Sequence, residues 1–163
     1  MKKLNILLLL IILAVNPGNS KNYFVAVTGT SGSAGTIISP YDFNTAVSKT
    51  VAGDTVFIRG GMYSYSSSVT ISKSGSALSY IHLVAYSAEI PVFDFRNQVY
   101  GSNSIGIKLS GNYVHIKGIT VQGAGDNGMQ VTGSYNYVEN CTFRWNCDSG
   151  LQMKTGSNNL IVN

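Results

Sequence analysis

Downstream of residue 100, apolar and polar positions alternate in short bursts. Ile107/Leu109, Val114/Ile116 and Ile119/Val121 are each followed by Gly, Asn, Ser or another polar residue. A period of two marks a strand with one face on a core. The bursts also recur. Gly106-Ile107-Lys108-Leu109-Ser110-Gly111 returns as Gly128-Met129-Gln130-Val131-Thr132-Gly133, then as Gly150-Leu151-Gln152-Met153-Lys154-Thr155-Gly156 with one residue inserted, and the leading glycines stand 22 residues apart. Asn112 to Ile116 lies over Ser134 to Val138, Ile119-Thr120-Val121 over Cys141-Thr142-Phe143, and Asp126 over Asp148. Fixed periods of roughly 20 to 50 residues belong to solenoids and arrays. Three short strands with Gly, Asn and Ser turns in each unit predict one coil of a parallel β-helix, in an all-β fold. Equivalent residues then form columns along the stack. Ile107, Met129 and Leu151 are expected in one inward column, and Asn140 and Asn163 in an asparagine column.

Upstream the pattern is less regular. Val56-Phe57-Ile58, Val69-Thr70-Ile71, Tyr80 to Tyr86 and Val92 to Phe95 read as strands of the first coils, with Gly53-Asp54 and Gly60-Gly61 as tight turns. In the stretch from Asp42 to Lys49, Phe43, Ala46 and Val47 fall on one helical face. This predicts a short capping helix, because the terminal unit of a solenoid must hide its core from water. The strand pattern is still running at Leu160-Ile161-Val162-Asn163, so the expectation is a stack that continues past Asn163. The expected organisation is therefore 1–20 as an export signal, 21–54 as an opening strand with capping helix, and 55–163 as coils.

The export signal is read from Met1-Lys2-Lys3, an apolar run from Leu4 to Val15 interrupted only by Asn5, and the small or turn-forming residues Asn16 to Ser20. Twelve residues fall short of the roughly 20 that a spanning helix needs, so a secreted chain without a membrane anchor is expected. The net charge of +4 includes Lys2 and Lys3; without them 9 basic groups face 7 acidic ones, or +2. With no Lys/Arg cluster left, a nucleic-acid partner is not expected. Only 11% of residues are charged, while 44% are hydrophobic, which excludes both disorder and a coiled coil. Cys141 and Cys147 could pair in an oxidising compartment, but Cys141 reads first as a small core residue.

Three stretches carry a resemblance. They are Tyr23 to Thr30, Ala52 to Tyr63, and the ladder holding Pro91 to Phe95, Gly106 to Gly111, Ile116 to Ile119, Gly123 to Met129 and Asp148 to Gln152. The first two resemble the entry of secreted right-handed β-helix proteins. More specifically, through the ladder the chain resembles polysaccharide lyase family 9, the pectate and exopolygalacturonate lyases, and the resemblance covers nearly all of residues 21–163. The resemblance implies a right-handed β-helix, monomeric at full length, that cleaves polygalacturonate by β-elimination with calcium. In that chemistry a base removes a proton α to a carboxylate, and Ca²⁺ neutralises the charge that develops. Asp148 matches the family's first calcium carboxylate. The remaining ligands and the lysine base are expected beyond Asn163, so no catalytic residue is assigned within the chain. Cys147 stands where the family tends to carry Arg.

Other readings stay beside this one: a non-catalytic carbohydrate-binding or adhesion β-helix, and a β-helix lyase on another acidic polysaccharide such as alginate. Asp126 reads as turn chemistry. Lys108, Lys117 and Lys154 read as solvated coil surface, and His82 and His115 as isolated structural residues. Trp145, Tyr135 and Tyr137 suit either sugar stacking or corner packing.

Overall fold

A computed structural model describes residues 20–163, which leaves the expected export signal at 1–20 almost wholly outside the described residues. Strand β1 (Asn22–Val25) leads to helix α1 (Phe43–Lys49), after which strands follow in threes. The first coil holds β2 (Thr55–Ile58), β3 (Gly61–Ser64) and β4 (Val69–Ile71), and the second holds β5 (Ile81–Ala85), β6 (Pro91–Asp94) and β7 (Ile107–Leu109). The third holds β8 (Val114–Lys117), β9 (Thr120–Gln122) and β10 (Met129–Val131). The fourth holds β11 (Tyr137–Glu139), β12 (Thr142–Arg144) and β13 (Leu151–Met153), and β14 (Leu160–Val162) opens a fifth. Corresponding strands stack into one six-stranded sheet, β1-β2-β5-β8-β11-β14, and two four-stranded sheets, β3-β6-β9-β12 and β4-β7-β10-β13. All pairings between these strands are parallel. The chain is a parallel β-helix.

The register follows from the alternation. Val56, Leu83, Ile116 and Val138 pair in one inward column, and Ile71, Leu109 and Val131 in another. All of these are buried, and each such side chain contributes about 1.5–3 kcal/mol by leaving water. Ile107, Met129 and Leu151 share a column as expected, with the first two fully buried and Leu151 packed on the core edge. Cys141 is buried and Cys147 exposed, and both thiols are free.

Helix α1 closes the first coil. Asp42 caps it, accepting from Thr45 N–H at 2.9 Å, which satisfies one of the donors left open at a helix start. Phe43, Ala46 and Val47 are its buried face, as the pattern predicts, and Phe43 meets Phe93 edge-on at 4.8 Å. The strand β3 is a correction. Gly60-Gly61 reads as a turn in the sequence, yet Gly61 begins a strand that pairs with β6. Only Tyr63 of its four residues is buried, so the alternation that reveals the other strands is missing.

One column explains why the repeat keeps its small residues. A Cβ on Gly133 would strike the carbonyl oxygen of Gly111 one coil earlier, and a Cβ on Gly156 would strike that of Gly133. The glycines are there for close approach, not for an unusual φ. Gly133→Ala is expected to cost about 2 kcal/mol through overpacking against backbone that cannot yield, read as a lower denaturation midpoint with unchanged slope.

The expected asparagine column is present, but it lies on the outside, and a second one runs inside. Asn140 does stack beneath Asn163, its N–H donating to Val162 O at 2.8 Å, but it is exposed with φ 49°. The inward ladder runs through Asn136 and Asn159, which the sequence reading did not single out. Asn136 Oδ1 accepts from Val114 N–H (2.9 Å) and its Nδ2 donates to Gly111 O (2.9 Å). Asn159 repeats both bonds one coil on, to Asn136 N–H (2.7 Å) and Gly133 O (3.0 Å).

Candidate active site

The connection from β9 to β10 and the connection from β12 to β13 stack as successive turns of one corner. Cys147 N–H donates to Ala124 O (3.0 Å), Asp148 N–H to Asp126 O (3.2 Å), and Gly128 N–H to Ser149 O (2.9 Å). Asn146 locks the corner from one side, with Oδ1 accepting from Ala124 N–H at 3.0 Å. Asp126 and Asp148 therefore sit one above the other. With Tyr100, Gly101, Ser102, Gly125 and Cys147 they line a cleft of 270 Å³. Asp148 is exposed and Asp126 half-buried. Among the described residues neither carboxylate has an ion-pair partner. Asp126 also makes none of the side chain-to-backbone bonds that the expected turn role would use.

Two stacked carboxylates repel each other until a cation neutralises them. The side-chain oxygens among the residues lining this cleft are two carboxylates and the Tyr100 and Ser102 hydroxyls, beside the Cys147 thiol; such oxygens are the hard kind that suits Ca²⁺. The set fits calcium in kind and falls short in number, since Ca²⁺ takes 6 to 8 oxygens. Among the described residues no group of three or more His, Cys, Asp or Glu gathers as a metal centre.

The same corner carries residues that the sequence reading passed over. Asp94, Gln122 and Arg144 occupy one register position on β6, β9 and β12. Arg144 Nε donates to Gln122 Oε1 at 2.8 Å, and its guanidinium lies 4.4 Å from the centre of the Trp145 ring. Trp145 is 68% exposed, so it is surface and not corner packing. Asp94 is tied to Arg96, with Nη2 to Oδ2 at 2.8 Å, and that hydrogen bond holds its carboxyl below the usual range against the opposing effect of burial. The signal that could have found Arg144 is its place three residues before Cys147, at the end of the strand that enters the corner.

The lysines stand apart from this corner. Lys108 is half-buried on β7, and Lys154 is exposed. Lys117 is not merely solvated: its Nζ lies 2.8 Å from Glu139 Oε1, and that hydrogen bond raises its pKa. A lysine held protonated is the opposite of a base. His82 and His115 are a second correction. They are not isolated, because stacking β5 on β8 brings their Nδ1 atoms to 3.1 Å.

A family description reading "Pel9A-like, right handed beta helix region" matches residues 23–163. The chain belongs to this family. The right-handed coil and the likeness to polysaccharide lyase family 9 are thereby borne out. This Pel9A-like chain is 43% identical over 81 residues to pectate lyase L of Paenibacillus polymyxa (strain SC2), covering 48% of the chain and 18% of that relative. It is 36% identical over 100 residues to pectate lyase L of Thermoclostridium stercorarium, covering 60% of the chain and 8% of that relative. The chain thus spans less than a fifth of either relative. Among solved structures, the crystal structure of pectate lyase Pel9A matches with a TM-score of 0.79 at 28% identity, over 87% of this chain and 38% of that one. A rhamnogalacturonan lyase matches with a TM-score of 0.65 at 18% identity, over 88% and 50% of the two chains; this likeness is one of fold.

Proposed function

We propose that the chain forms the opening coils of a secreted pectate lyase that cleaves polygalacturonate by calcium-assisted β-elimination. The observation that carries this is the cleft with Asp148 stacked on Asp126 in a chain whose relatives are named pectate lyases. Asp148, with Asp126 beneath it, would supply part of the oxygen set for Ca²⁺, and the ion would offset charge developing on the substrate carboxylate. Arg144 and Trp145 suit an acidic sugar: a guanidinium binds a carboxylate through paired N–H groups, and an exposed indole offers a face to a ring. The remaining ligands and the lysine base come from later coils. Export through residues 1–20 belongs to the same reading, since an extracellular polymer is the substrate.

The test compares the 163-residue chain with an extended protein carrying further coils. The short chain is expected to release no unsaturated oligogalacturonides, and the extended protein to release them in a Ca²⁺-dependent way. In the extended protein Asp148→Ala is expected to weaken apparent calcium affinity by about tenfold or more, since ligand charge sets affinity, with the melting temperature unmoved. Lyase activity from the short chain, or unchanged calcium dependence in the variant, would overturn the assignment. An extended protein that binds polygalacturonate without cleaving it would favour a binding β-helix instead.

A further inference from the structure

The outer face of the six-stranded sheet carries a polar cluster that shares no residue with the lining of the Asp126/Asp148 cleft. Register places His82 of β5 opposite His115 of β8, with Tyr137 and Leu160 next in the same column. Lys117 and Glu139 pair in the adjacent outward column. Glu139 reaches both neighbours: Oε1 lies 2.8 Å from Lys117 Nζ, and Oε2 lies 2.9 Å from His115 Nε2. A carboxylate only accepts, so the network assigns the hydrogen to His115 Nε2. The lone pair of a neutral His115 ring then lies on Nδ1, 3.1 Å from His82 Nδ1. Tyr137 stacks on the His115 ring at 4.6 Å and 10°, fixing its plane, while the two imidazoles stand at 80°. Both histidines open onto a hollow of 440 Å³ that Tyr80, Tyr137 and Leu160 also line.

We propose that His82 and His115 form a two-imidazole site for a late-transition divalent cation, of the Zn²⁺ type, with Glu139 as the positioning residue. Imidazole nitrogens bind such ions at about 2.0–2.1 Å. Two of them at angles between square and tetrahedral lie roughly 2.9 to 3.4 Å apart. The observed 3.1 Å falls inside that span. A carboxylate on the far nitrogen of a ligating histidine is the usual device for fixing tautomer and raising basicity. When the ion enters, the proton on His82 Nδ1 moves to Nε2 of the same ring; both rings then carry Nε2–H and present Nδ1. Waters in the hollow complete the coordination. Nitrogen donors do not suit Ca²⁺, so this site stands independently of the lyase reading.

The experiment is a calorimetric titration of Zn²⁺ into the chain carrying Cys147→Ser, with millimolar Ca²⁺ present throughout. One equivalent is expected to bind. His82→Gln and His115→Gln are each expected to weaken binding about 100-fold, and Glu139→Gln about 10- to 100-fold, as second partners of metal ligands do. Imidazole ¹⁵N spectra of the parent should show both Nδ1 resonances shifting with Zn²⁺, a readout that needs no variant to fold. Absence of binding, an affinity unmoved by either histidine change, or an Nδ1–H···Nδ1 hydrogen bond persisting at saturating Zn²⁺ would each overturn the site.

Discussion

Val131→Asp is expected to abolish the cooperative unfolding transition of the chain at room temperature. Val131 is completely buried, between Leu109 below and Met153 above. Both neighbours are apolar, so a carboxylate there would lose its hydration and find no partner. It must either stay charged at great cost or take up a proton. Leaving an uncompensated charge in an interior costs about 3–5 kcal/mol, on the scale of a whole domain's stability of about 5–15 kcal/mol. Gln130→Asp is the control. Gln130 sits one residue away on the outward face, bonded to Gln152 at 2.6 Å, and its replacement is expected to cost under about 1 kcal/mol. Denaturation monitored by circular dichroism checks both; equal losses would mean the two faces of β10 are not inside and outside.

Asn136→Leu is expected to destabilise by about 2–5 kcal/mol although the shape is nearly kept. Asn136 is 2% exposed and satisfies two backbone groups of the preceding coil, the Val114 N–H and the Gly111 carbonyl. Leucine leaves both without a partner, at about 1–3 kcal/mol each. The effect is one of orphaned backbone and not of lost volume. Asn112→Leu separates the two ideas: Asn112 Oδ1 accepts from Ser134 N–H at 2.7 Å, but it is exposed and water can replace it. Its cost is expected to stay below about 1 kcal/mol. A midpoint for Asn136→Leu no lower than that of Asn112→Leu would refute the ladder's role.

The regular coils were legible because their inward residues alternate and recur at one spacing. The repeat alone superposes Ile107 with Met129, and Tyr113 with Tyr135; the two tyrosine rings do stack, at 4.9 Å and 5°. The earlier coils resisted because their connections are longer. His82 and His115 are separated by 33 residues, so a 22-residue ruler lays neither over the other, and their contact was invisible. Strand β3 hid for a different reason, since one buried residue in four makes no pattern. The cleft was half legible. Asp148 could be placed over Asp126 by the repeat, but the exposure of Trp145 and the reach of Arg144 depend on how a corner turns.

The unequal coil lengths bear on how the chain assembles. Asn112 N–H to Ser74 Oγ closes 38 residues of chain, and Val114 N–H to Asn136 Oδ1 closes 22. Loop-closure entropy grows only with the logarithm of length, so the longer closure costs roughly 0.5 kcal/mol more. That handicap is smaller than the burial of one aliphatic side chain. The long early coils therefore carry almost no kinetic disadvantage against the short later ones. A chain emerging from the ribosome can wind its first coils as they appear, each new coil templated by the open edge of the last.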